Sequence, residues 1–196
     1  MTQRRLVTRW LGALGVTLSL VGLISQNAAS AQTLAETQQR ANQGDARAQT
    51  TLGFIYQSGD GVPEDSMQAV VWYRIAAGQG YAPAQANLGV MYSNGTGVPQ
   101  DFPQAAAWLL KSADQGYAPA QANLGVMYAT GQGVPQDDVE AHKWLSLAAS
   151  GLTGDAQKGY AEYRNVTARK MTPAQIGEAQ QRAAEWQAAF ERRQAK

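Results

Sequence analysis

The chain has 196 residues, with 16 Lys+Arg against 15 Asp+Glu, one histidine, 20 glycines and no cysteine, for a formal charge of +1 at neutral pH. That near balance excludes a protein organised around nucleic acid, and the missing cysteines exclude disulfides, thiol catalysis and the usual zinc sites. The total hides an asymmetry: residues 32–157 hold 11 acidic and 5 basic side chains, while residues 158–196 hold 4 and 8.

Residues 1–31 have the layout of a secretory signal. Arg4, Arg5 and Arg9 precede an apolar stretch from Trp10 to Ile24, and Ala29-Ser30-Ala31 offers a small-x-small cleavage site before Gln32. The apolar stretch is shorter than the ~20 residues a membrane-spanning helix needs. The expectation is a cleaved signal on the general secretory route and a periplasmic or secreted protein. The alternative is an uncleaved N-terminal anchor; either way, membrane contact is expected only through this segment. No cysteine follows the stretch, which excludes acylation as a lipoprotein.

Residues 32–43 read as an N-terminal capping helix. Leu34–Gln43 resembles a lone second helix of the repeats that follow, ending Ala41-x-x-Gly44 much as Ala77-x-x-Gly80 does. From residue 44 to 151 the chain repeats with a period of 36: Gly44-Asp45-Ala46-Arg47-Ala48-Gln49 returns as Gly80–Gln85 and again as Gly116–Gln121. Residues 80–92 and 116–128 are identical, and 23 of 36 positions agree between the second and third copies. Self-similarity at such a period is the signature of a stacked helical array.

Each unit predicts two helices. In the first, Ala84, Leu88, Met91 and Tyr92 share one stripe with Gly89 on its flank; Ala48, Leu52, Ile55, Tyr56 and Gly53, and Ala120, Leu124, Met127, Tyr128 and Gly125, are the matching sets. A mid-helix glycine costs roughly 1 kcal/mol against alanine, so its recurrence implies close approach by a partner helix. Trp72, Trp108 and Trp144, each four residues before Ala76, Ser112 or Ala148, are expected to fill that gap. Between the helices runs Gly-x-Gly-Val-Pro-x-Asp at 59–65, 95–101 and 131–137. Its first glycine suits a left-handed helix terminus, its valine plugs the core, and its aspartate is an N-cap. Gln68, Gln104 and Glu140, three residues on, complete capping-box signatures. A phosphate-loop reading of Gly-x-Gly fails, because no strand precedes it and no Lys-Ser/Thr follows.

The pattern Ala-x3-Leu-Gly-x2-Tyr, Gly-x-Gly-Val-Pro-x-Asp, Ala-x2-Trp, Ala-Ala over residues 44–151 resembles the Sel-one-like repeat (SLR) family, a branch of the tetratricopeptide-like α/α repeats. The resemblance implies an all-α fold: a right-handed α/α superhelical solenoid of three full helix-pair repeats between N- and C-terminal capping helices. It also implies an adaptor whose concave face is lined by the first helices. Secreted bacterial members include regulators of envelope signalling and of surface structures. Some cysteine-rich members are linked to β-lactam binding, but this chain lacks their paired cysteines.

Residues 152–196 close the array. Ala156-Gln157 keeps the register for a fourth first helix, but Leu-Gly becomes Tyr160-Ala161, the Tyr position is Arg164, and no Gly-x-Gly-Val follows. Thr172-Pro173-Ala174-Gln175 then starts a final helix with a capping box. Its stripe of Ile176, Ala179, Ala183, Trp186 and Phe190 is expected to cover the last repeat; docking on a membrane or another protein is the alternative.

No catalytic, cofactor or metal constellation is expected. His142 aligns with Val70 and Ala106 and reads as a surface side chain, and loop acids such as Glu64/Asp65 and Asp137/Asp138 are explained by capping. Opposite the core stripe the first helices carry Phe54, Val90 and Val126, flanked by Thr51, Asn87 and Asn123, with Asn94 and Thr130 one or two turns away. Packing between successive first helices explains these residues at least as well as a ligand does. Related tetratricopeptide folds use inward-facing asparagines to hold an extended peptide, and Asn87 and Asn123 are similar in placement. The function expected is a non-enzymatic, periplasmic or secreted interaction scaffold for a protein or peptide, without cofactor. The alternative is a cell-wall-related enzyme or inhibitor directed at β-lactams or peptidoglycan.

Overall fold

The computed structural model describes residues 33–195, whose regular secondary structure is α-helix. Helix α1 spans residues 33–42. It is followed by α2 (Ala46–Ser58), α3 (Ser66–Gly78), α4 (Ala82–Asn94), α5 (Phe102–Ala113), α6 (Ala118–Thr130), α7 (Asp138–Gly151), α8 (Gly154–Ala168) and α9 (Pro173–Gln194). The expected signal at residues 1–31 lies outside the described residues. Each first helix (α2, α4, α6) packs on the second helix of its unit (α3, α5, α7), and each second helix packs on the next first helix. The result is an all-α repeat solenoid.

The loops show why the units are so alike. Gly59, Gly95 and Gly131 are left-handed (φ 71, 70 and 71°) and donate their N–H to Ile55, Met91 and Met127 carbonyls, ending the first helices. The carboxylates of Asp65, Asp101 and Asp137 accept from the N–H groups of Gln68, Gln104 and Glu140 at 3.0, 2.9 and 3.0 Å. The reciprocal half of the expected capping box does not form. The aspartate N–H groups already donate to the carbonyls of Tyr56, Tyr92 and Tyr128, at 2.8, 2.9 and 3.0 Å, and a satisfied donor has no use for a side chain. At the start of α9 the full box does form, between Thr172 and Gln175.

The glycine interlock forms with a different partner from the expected tryptophan. A Cβ on Gly53 would lie 2.7 Å from the Tyr73 ring, and one on Gly89 or Gly125 would lie 2.8 Å from Cγ of Leu109 or Leu145. These are the residues after the tryptophans. The tryptophans stand about 100° further round each second helix. Trp72 packs with Ala41, Ala48 and Leu52, and Trp108 packs with the Ala84, Leu88 and Met91 cluster. The second glycine of the loop joins units: a Cβ on Gly97 would overlap the Ser66 carbonyl, and one on Gly133 the Phe102 carbonyl. Among the described residues nothing lies within 4 Å of a Cβ on Gly61.

Beyond α7 the periodicity breaks. Helix α8 packs on α7, but α9 also turns back onto α7 and makes almost no contact with α8. Ala179 and Ile176 meet Val139 and Met171, while Ala183 and Trp186 join the cluster of Trp144 and Leu147. Trp186 meets Trp144 edge-on at 5.8 Å and stacks on Phe190 at 5.1 Å. Arg182 pairs with Glu140 at 2.7 Å. Helix α8 is left with a sparse face, Tyr163 and Val166 being exposed.

Candidate partner-binding site

The residues opposite the core stripe fall into two groups. Thr51, Phe54, Asn94 and Thr130 are exposed, Phe54 to 59%, whereas Asn87, Val90, Asn123 and Val126 are half-buried. The same helix positions are therefore open in the first unit and partly covered in the next two. Asn87 shows the direction of cover, since its amide lies near enough to the hydroxyl of Tyr73, a residue of the preceding unit, to favour its ionised form. That hydroxyl, whose pKa burial pushes up to about 12, donates to Gln57 at 2.8 Å. Asn123 donates to the Pro119 carbonyl of its own helix at 3.1 Å. The Asn123 amide thus has a partner within its own helix, and the Asn87 amide faces the preceding unit. Thr130 likewise donates to the Val126 carbonyl at 2.9 Å.

Thr51 and Phe54 belong instead to a groove of about 760 Å³ between α1, α2 and the first loop, with Leu34, Thr37, Ile55 and Val62 among its walls. It lies at the end of the array where an earlier unit would stand. An exposed phenylalanine beside aliphatic walls and threonine hydroxyls is the composition of a small docking surface.

A ladder of glutamines lies at the joints between units. Gln49, Gln85, Gln121 and Gln157 donate to the carbonyls of Ala41, Ala77, Ala113 and Ala149, at 3.0, 3.2, 3.3 and 3.0 Å. Each tethers the start of a first helix to the end of the helix before it. Gln79 and Gln115 extend the ladder by donating to Gln49 and Gln85 at 2.7 and 2.8 Å. Gly151 occupies the next such position, so Gln121 instead faces a cavity of about 550 Å³ bounded by Gly151, Ser150 and Phe190. The repeated Ala-Gln pair was the available signal for this ladder, although in the sequence it reads only as a register mark.

His142 is buried, 5% exposed, which corrects its reading as a surface side chain. Its counterparts Val70 and Ala106 are buried too, and α8 closes over the α7 position with Arg164 nearby. Burial and then the Arg164 charge lower its pKa from 6.5, and its Nδ1 has no protein partner. A lowered pKa means that the unfolded chain binds the proton first, so stability is full above pH ~6.5 and falls as pH drops toward the folded value. His142→Val, the residue of the first unit, is expected to remove this loss. Between pH 7.5 and 4.5 the difference in urea midpoint between parent and variant should be constant above about pH 6.5 and widen below it.

Among the described residues no group of three or more His, Asp and Glu side chains is placed to hold a metal ion, and no helix is long and apolar enough to cross a membrane. Helix pairs interlocked through glycine, joined by loops of one pattern and offering grooves rather than a reactive cluster, define an α/α repeat scaffold. The Sel1 repeat matches residues 46–81, 82–117 and 118–151, more than half of the chain. The chain belongs to the Sel1-repeat family, whose members generally mediate protein–protein interaction and are typically non-catalytic.

Solved structures agree. A protective antigen of uropathogenic Escherichia coli with an SLR fold is 37% identical over 84% of this chain, with a TM-score of 0.73; the match spans 35% of that protein. A Sel1 repeat protein from Oxalobacter formigenes is 36% identical over 67% of this chain and 98% of its own, with a TM-score of 0.59. No curated protein matches the chain.

Proposed function

We propose that the chain is an exported, non-enzymatic adaptor that binds a protein or peptide on its first-helix face, with the groove at Thr51 and Phe54 as the principal contact. One observation carries this reading. Among the described residues Phe54 is 59% exposed and a Cβ on Gly61 would meet nothing within 4 Å, while Gly97 and Gly133 are pressed by the unit before them. A rigid stack presents that face preformed, which limits the ordering cost of association. Asn87, Val90, Asn94, Asn123, Val126 and Thr130 continue the same face along the array as secondary contacts. Export rests on the charge and apolar pattern of residues 1–31, and mass analysis of the exported protein should find Gln32 as its first residue.

The binding test is co-purification from the native envelope with the full chain as bait. Phe54→Glu is expected to cut recovery of the specific partner at least ~10-fold, as loss of an interface anchor does, while leaving the melting curve unchanged because Phe54 is exposed. Asn87→Ala with Asn123→Ala should weaken binding by a smaller factor. Parental recovery by both Phe54→Glu and the asparagine pair, with helicity intact, would reject the first-helix face.

A further inference from the structure

Helix α9 is seated on a stripe of α7 that the repeat reproduces on the other second helices. On α7 the stripe is Val139, Lys143 and Leu147 beside Trp144. Val139 and Leu147 are 9% and 8% exposed because α9 lies on them. Two periods earlier the same positions on α3 are Met67, Val71 and Ile75 beside Trp72, and these are 69, 44 and 44% exposed. The α5 copy is Pro103, Ala107 and Lys111, which offers less apolar surface than Met67, Val71 and Ile75. One copy of the surface is therefore filled by a helix of the chain, and another is more apolar and bare.

The correspondence extends to the end of the groove. Phe190 lies over Gly116, where a Cβ would come within 2.6 Å of its ring. Gly44, two periods earlier, has the same left-handed backbone (φ 94°) and nothing within 4 Å of such a Cβ. A ring placed like Phe190 has room there.

We propose that the α3 face is a second binding surface, separate from the first-helix face, and that its occupant is an amphipathic α-helix of a partner protein lying parallel to α3. The helix carries the α9 pattern of two small residues followed by two aromatic ones at spacings of 4, 3 and 4, as in Ala179, Ala183, Trp186 and Phe190. The occupant is a helix because helix α9 fills the α7 copy of the stripe, and the four-residue ridge of α3 is suited to the same packing. Met67 at its open end suits an adaptable contact. A second copy of this chain is a poorer fit. Arg182 of α9 is matched to Glu140 of α7, and the α3 counterpart of Glu140 is the neutral Gln68.

The probe is a fluorescent peptide of residues 172–196, stapled between positions 181 and 185 on its exposed side, titrated into the full chain by anisotropy. Saturable binding is expected, weakened at least ~10-fold by Ile75→Glu and by Met67→Glu separately, as for loss of a hot-spot contact. Both side chains are exposed, so the variants should keep parental helicity. Gln68→Glu restores the carboxylate that Arg182 meets on α7 and should tighten binding about two- to five-fold, the yield of one exposed ion pair. Three results would overturn the proposal. The first is no saturable binding at about millimolar peptide, a weak-affinity ceiling. The second is binding indifferent to both α3 variants, which means exchange with the chain's own α9. The third is a concentration-dependent dimer, with or without peptide binding, that Ile75→Glu dissolves; that assigns the face to self-association.

Discussion

Gly133→Ala should destabilise the protein by about 3 kcal/mol or more, and Gly61→Ala, at the same place in a loop of the same pattern, by about 1–2. Both glycines are left-handed, with φ of 73 and 76°, so an alanine meets the same backbone strain at each. They differ in their surroundings. A Cβ on Gly133 overlaps the Phe102 carbonyl at the start of α5, whereas one on Gly61 meets nothing within 4 Å. The overlapping atom is backbone at a helix start, so relief requires the two units to separate. Urea denaturation of both variants measures the difference. Equal losses would mean that left-handed strain is the whole cost and that the contact between units adds nothing.

Trp144→Ala should cost about 3–5 kcal/mol, the range for truncating a buried aromatic side chain, and Trp108→Ala distinctly less. Trp144 is 2% exposed because α9 covers it and Trp186 meets its ring at 5.8 Å, whereas Trp108 is half-buried, with Lys111 over its face. The Trp144 variant removes the seat of α9 as well as core volume. Trypsin should therefore cut at Arg182, Arg192 and Arg193 well before it cuts within α2–α6. Intact α9 in a destabilised Trp144→Ala protein would show that Glu140–Arg182 and the Val139–Ala179 contact hold the helix without the aromatic pair.

These two experiments also mark what the sequence could tell. The period of 36, the loop glycines, the aspartate caps and the alternation of first and second helices were legible, because each is local or repeats at a fixed spacing. The partner of Gly53, Gly89 and Gly125 was read one residue too early. Trp72, Trp108 and Trp144 are the conspicuous large residues, yet one position on a helix turns the side chain by about 100°. Only packing selects Tyr73, Leu109 and Leu145. His142 was misread because a polar residue suggested solvent, although its counterparts Val70 and Ala106 already marked a buried position. The reciprocal capping bonds of Gln68, Gln104 and Glu140 fail for a similar reason: a carbonyl of the preceding helix takes the donor first.

For the candidate site the sequence supplied the side of the first helices and the residues on it. It could not grade Thr51 and Phe54 as open against Asn87 and Val90 as half-covered, because the grading comes from a neighbouring unit, or its absence, rather than from the helix itself. Nor could it find the bare stripe of Met67, Val71 and Ile75. Its meaning comes from α9, whose amphipathic pattern is plain in the sequence but whose choice of α7 over α8 is not. By itself the sequence determined the unit, its length, its turns and the stacked all-α architecture, since helix periodicity and turn chemistry act over a few residues. The tertiary structure decided which side chains interlock, which copies of a repeated surface are covered and which remain free. Those outcomes depend on contacts between segments 20 or more residues apart, where similar local sequences meet different neighbours.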